Sequence, residues 1–192
     1  MREDWNSFRD RTPANDRFYV AGLIREGVGA STTVPVDNQL YLVPMIVSVR
    51  SRLIEFGVCK TQGSSSTPIR FGLYQAKSVD NLLPNNLLLT SSLTDTTAAA
   101  FYSMPTNIVL NEGVLYYAAF VRQGGAALGF AFFTNQICSV YGYNRPTATI
   151  GTPIASFNVV GVNAALPAII AGPVAITVGS AVPMMMGRYT KV

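Results

Sequence analysis

Residues 123–187 carry a single charged side chain, Arg145, across 65 consecutive positions, and that feature narrows the folds open to the chain. A solvated amphipathic helix needs a charged or polar face, and none can be written from this stretch. Its most apolar part, residues 164–186, has the length of a membrane span, but Pro167, Gly172, Pro173, Gly179 and Pro183 interrupt it every few residues. Each proline removes a backbone donor from the ladder that a helix in lipid must complete internally. No membrane span is expected. Short buried strands joined by Gly, Pro and Asn turns fit the pattern.

The whole chain of 192 residues is 49% hydrophobic and 12% charged, against ~25% charged in an average soluble domain. So little charge cannot cover a lone monomer, which predicts apolar surface buried against partners. There is no histidine, which removes Ser-His-Asp and Cys-His nucleophile systems, histidine zinc sites and the usual titration near neutral pH. The net charge of +4 is spread along the chain. Residues 2–26, the densest charged stretch, hold five arginines and five acids, so no basic patch stands ready to displace counterions, and nucleic-acid binding is not expected.

Cys59 and Cys138 are either bridged or free on sequence grounds. Two cysteines make no disulfide framework, and unpaired thiols with intracellular synthesis are the preferred reading. The N-terminus, Met1-Arg2-Glu3-Asp4-Trp5, has no apolar core of a secretory signal, and export by the general pathway is not expected.

Length predicts one domain. Residues 1–30, with Trp5, Phe8, Phe18 and Tyr19 among charges and a Gly-rich junction at 27–29, read as an extended N-terminal arm, and residues 31–192 as the domain. Strand-like runs follow at 39–43 and 45–49, with a break at Pro44. In 53–59, alternation places Ile54, Phe56 and Val58 on one face, predicted to be core. After a polar turn at 61–68, Ile69, Phe71 and Leu73 share a face of the next strand. Residues 81–88 and 103–110 read as strands, with Asn85-Asn86 and Asn111-Glu112-Gly113 as turns. The apolar run 114–121 has the length of a central strand, and Gly124-Gly125 ends it. Further strands are predicted at 128–134, 137–143, 157–162, 174–178 and 182–189. The one helix candidate, 95–102 around three alanines, is too short to stand alone. Roughly nine or ten strands spaced every 10–15 residues predict an all-β antiparallel sandwich or barrel.

Four segments in order carry a resemblance: Tyr41-Leu42-Val43-Pro44; Arg70-Phe71-Gly72-Leu73-Tyr74; the leucine-rich 81–90; and Glu112-Gly113-Val114-Leu115-Tyr116-Tyr117-Ala118-Ala119-Phe120. Together they resemble the jelly-roll-like β-sandwich of tailed-bacteriophage virion proteins, where an R-x-G-I-Y strand precedes a leucine-rich segment and a later G-x-Y-W-L-A strand opens the second sheet. The ending, Ala164-Ala165-Leu166-Pro167-Ala168 and then Ala181-Val182-Pro183, is also similar, so the likeness covers about residues 18–189. This chain departs from the pattern in having Tyr117 at the tryptophan position and short surface loops. The resemblance implies a homotrimeric structural protein of the virion, made in the host cytoplasm and without enzymatic activity. The role it favours is head decoration or cementing, with the arm binding the major capsid protein. The alternative is a receptor-binding knob joined to a fibre or tail protein.

The candidate contact residues follow from these two roles. Trp5, Phe8, Phe18 and Tyr19 are the arm's candidate anchors, since aromatic residues among charges make interface hot spots; the competing reading folds them back on their own sandwich. Gly63, Ser65, Gln123 and Gly124 lie in the loops that a receptor would meet. In Met184-Met185-Met186, strand alternation is expected to bury one side. A third class, a depolymerising hydrolase, would need a carboxylate pair, for which Glu55 and Glu112 are the candidates, and nothing in the sequence places them together. Lys60 or Lys77 beside Ser64–Ser66 reads as ordinary loop chemistry rather than a Ser-Lys pair. No metal-ligand spacing and no phosphate loop is present, and no cofactor is expected.

Overall fold

The computed structural model describes residues 18–20, 29–47, 49–78, 83–134, 154–170, 175–178 and 181–192. Among them there is no helix. The chain forms β1 (Phe18–Val20), β2 (Gly29–Thr33), β3 (Leu40–Ile46), β4 (Ser51–Lys60), β5 (Thr67–Ala76), β6 (Pro84–Thr90), β7 (Thr94–Thr96), β8 (Ala100–Leu110), β9 (Leu115–Arg122), β10 (Phe130–Thr134), β11 (Ile154–Val159), β12 (Ala175–Val178), β13 (Ala181–Pro183) and β14 (Met185–Lys191). Two antiparallel sheets pack face to face, an all-β sandwich.

The first sheet is built on β4, which pairs along its length with β8 on one side and β14 on the other. β1 adds outside β14, while β10 carries β2 and β13. The second sheet runs β12-β11-β3-β9-β5-β6, and β7 extends the β6 edge of β5. Its centre is β9, between β3 and β5, with every residue buried. That burial follows from the composition of the run: Tyr116, Ala118 and Phe120 enter the core between the sheets, while Leu115, Tyr117, Ala119 and Val121 enter a second core on the outer face. A strand apolar on both sides belongs in the middle of a covered sheet.

Residues 160–170 provide that cover. Val162 and Leu166 pack on Leu40, Leu42, Tyr74 and Tyr117. The segment is also tied at both ends, since Val162 N–H donates to Asn38 O at 2.9 Å and Ile170 N–H to Asn85 O at 3.2 Å. Leu87 N–H donates in turn to Ala168 O at 3.0 Å. Gly72 makes room, because a Cβ there would strike the Leu89 carbonyl oxygen and lie 2.8 Å from Leu166 Cδ1.

Several sequence expectations change on the structure. In β4 the buried hydrophobic side chains are Leu53, Phe56 and Val58, and Ile54 is only half-buried, because a bulge at that position shifts the register against both β8 and β14. One extra residue flips the parity of all that precede it. The helix candidate at 95–102 is instead the end of β7, an exposed turn through Ala98 and Ala99, and the start of β8. Three alanines cannot outweigh the pairing that β4 offers. Asn85-Asn86 is not a turn but part of β6, where Asn86 pairs with Gln75. Pro44 does not break β3. It lies opposite Tyr117 of β9, and on the other side β11 pairs only with residues 40–42, so among the described strands the proline borders a free edge, where a missing donor is tolerated. Finally, β9 does not open a second sheet relative to β5: the two are adjacent, with Tyr74 facing Tyr117.

Other expectations stand. β5 buries Ile69, Phe71 and Leu73 together, and of the three methionines Met185 is buried while Met184 and Met186 are partly so. The strand expected at 137–143, together with Cys138, lies outside the described residues. No helix among the described residues is long and apolar enough to cross a membrane.

Candidate functional site

The two loops singled out in the sequence meet at one end of the sandwich. β4 delivers residues 61–66 there, and β9 delivers 123–129. Gln123 N–H donates to Pro68 O at 2.8 Å, Ala126 N–H to Ser66 O at 2.8 Å, and Thr61 N–H to Gly129 O at 3.0 Å. The Thr67 hydroxyl donates to Ala126 O at 3.1 Å. Gly125, at φ +70°, lets the second loop come this close, since a side chain there would run into Pro68 and the Ser66 carbonyl.

Beneath these loops lies Lys60, 1% exposed at the inward position that ends β4. Its Nζ donates to Ser65 O at 2.8 Å and Thr96 O at 2.6 Å. The turn after β7 is thereby joined to the 61–66 loop. Above, the Ser66 hydroxyl donates to Asp95 Oδ1 at 2.6 Å, and the Thr96 hydroxyl to Thr67 O at 2.7 Å.

A second polar cluster adjoins it. Arg122, nearly buried, donates from Nε to Pro35 O at 3.0 Å and lies 3.9 Å from Asp37, which also accepts the Gly124 N–H at 2.5 Å. Asn38 takes the left-handed conformation, φ 56°, as asparagine tolerates. Tyr41 accepts the Val36 N–H at 3.1 Å. Burial raises the Tyr41 hydroxyl above its usual value, opposed by that hydrogen bond and by Arg122.

The candidate loop residues divide into two kinds. Gly63 and Ser65 are exposed. Gly63, at φ +79°, sits against Leu128, and Ser65 lends its carbonyl to Lys60. Gln123 has its amide occupied, accepting from Arg70 Nε at 3.1 Å and donating to Val162 O at 2.9 Å and Ala164 O at 2.5 Å. Gly124 is half-buried, at φ +81°. Of the arm residues, Trp5 and Phe8 lie outside the described residues. Phe18 and Tyr19 are in β1, where their backbone pairs with Arg188 and Gly187.

The remaining candidates do not converge. Glu55 lies mid-strand on β4, where it accepts from the Ser103 hydroxyl at 2.6 Å and pairs with Arg188 at 3.1 Å. Glu112 lies in the turn beyond Leu110, which faces Ser51. Glu55 is four residue steps along the strand from Ser51, about 13 Å at ~3.3 Å per residue, more than the ~5–9.5 Å of a glycosidase pair. Lys60 bonds the carbonyl of Ser65, not a serine hydroxyl, and Lys77 is at the opposite end of β5. Burial pushes the Cys59 thiol up, which makes it a poorer nucleophile. Among the described residues no three His, Cys, Asp or Glu side chains are grouped to hold a metal ion.

Sequence reasoning took Lys60 for ordinary loop chemistry, where the structure buries it at the end of β4, and it missed the Asp37–Arg122 and Arg70–Gln123 pairs. Only Lys60 left a signal, a lysine in phase with Phe56 and Val58. The chain matches no protein-family model and no curated protein.

Proposed function

We propose that this chain is a non-enzymatic structural component of a tailed-phage particle, in the first place a homotrimeric decoration or cement protein of the head, attached through the arm at 1–30. What supports the reading is the architecture that the resemblance implies, an all-β sandwich of two antiparallel sheets, although Arg70–Tyr74 in β5 and Gly113–Ala118 running into β9 share one sheet instead of dividing between two. A sandwich of this kind supplies a stiff body, and low charge suits it to repeated contact with other subunits. A receptor-binding knob is the second reading. It is supported by the convergence of the 61–66 and 123–129 loops at one end, with Gly63 and Ser65 exposed.

Copy number separates these readings. Quantitative mass spectrometry of purified particles, referred to the major capsid protein, gives hundreds of copies for a lattice-wide decoration protein. A few tens or fewer moves the fibre or tail role to first place, and absence from the particle removes both.

A further inference from the structure

Lys60 is the least expected side chain in the molecule. It ends a strand whose inward side chains from Leu53 to Val58 are apolar. Its four-carbon stem continues the core, its amine is buried, and no carboxylate among the described residues lies within salt-bridge distance. Burying such a group is unfavourable unless its donors find acceptors. The two found here are main-chain carbonyls, Ser65 O in the 61–66 turn and Thr96 O at the end of β7, 36 positions from Lys60.

We infer that Lys60 is a bolt: it fixes the 61–66 turn against the turn that follows β7, so that this end of the sandwich is one preformed surface rather than several independent loops. The geometry extends to the third loop. Ser66, beside the Lys60-bound Ser65, accepts the Ala126 N–H, and Thr67, whose carbonyl takes the Thr96 hydroxyl, donates to Ala126 O. Removing the amine takes a short bond from each of two carbonyls at the point where all three loops join, and leaves Ser65 O only the longer contact from the Thr67 hydroxyl, 3.5 Å. Lys60 is thus a positioning residue, acting through backbone it holds and not through contact with a partner. This inference is independent of the virion role, and its test uses the isolated full-length protein.

The test is amide hydrogen exchange of Lys60→Met, with Lys77→Met as control. The methionine keeps the stem volume and deletes the amine. The bolt predicts exchange roughly tenfold faster at residues 61–66, 96–99 and Ala126, with β3 and β9 unchanged and no effect in the control. Unchanged exchange in those turns, or an equal increase through β9, overturns it. Acetylation of the wild-type protein decides the matter if the variant does not fold. Exposed Lys77 should react at once, and Lys60 only at the opening rate of the Thr61 and Ala126 amides. Reaction of Lys60 as fast as Lys77, or only as fast as the β9 amides open, overturns the bolt.

Discussion

The hydroxyl of Tyr74 donates to the carbonyl oxygen of Pro167 at 2.8 Å, a bond between positions 93 residues apart. It fastens the C-terminal part of β5 to the segment that covers the outer face of its sheet. Tyr74 fills the second core with its ring and spends its one polar atom on the cover. Removing the atom without the ring should therefore loosen the cover and leave the sandwich standing. Tyr74→Phe is expected to lose about 1 kcal/mol, or ~2–4 °C in melting temperature for a chain of this size. Thermal unfolding measures the loss, and amide exchange at 166–170 should show where it falls.

Gly72 tests the same contact from below. A methyl group there meets the Leu89 carbonyl and Leu166. Gly72→Ala should destabilise by about 1–3 kcal/mol through overpacking. Denaturant unfolding gives the value, and no loss would mean that the cover yields freely.

The bulge in β4 makes neighbouring residues unequal. Leu53 is fully buried, while Ile54 is half-buried. Leu53→Ala should cost ~2–5 kcal/mol, and Ile54→Ala much less. The reverse order in denaturant titrations would show that the strand alternates without interruption.

Alkaline pH is the condition to which this fold is most exposed. Burial raises the hydroxyl pKa of Tyr74, Tyr117 and Tyr189 far above the usual 10.0, and raises Tyr41 as well. Above pH 10 the unfolded chain releases protons that the folded chain still holds, so the stabilisation from these groups is complete below pH 10 and declines as pH rises beyond it. Melting temperature should fall steepen above about pH 10, with delayed phenolate absorbance from the buried tyrosines. With no histidine in the chain, no histidine step arises between about pH 6 and 8.

Much of this architecture was legible in residue order. The run ending at Val121 announced a central strand because it is apolar at both parities, and the phase of Ile69, Phe71 and Leu73 announced the core face of β5. Where reading failed, the cause was non-local. Nothing near Ile54 signals a bulge that exists because β8 and β14 grip the strand in different registers. Nor does anything near Ala98 signal that β4 will draw Ala100 and the residues after it into a strand. The loop end was half-legible: Gly-rich turns marked the loops, but the bonds that gather them run from Lys60 to Thr96 and from Arg70 to Gln123, pairs that only the folded chain brings together.

β9 also sets the order in which this molecule can assemble. Its partners β3 and β5 end at Ile46 and Ala76, long before β9 begins at Leu115. They cannot be joined into one sheet until β9 arrives between them. Such non-local pairing folds slowly, with loop closure preceding reward. At ~5–20 residues per second, a ribosome would hold β3 and β5 as open strand edges for several seconds before β9 emerged. Wrong pairing in that interval is the hazard, and expression temperature and chaperone supply should govern yield more than final stability does.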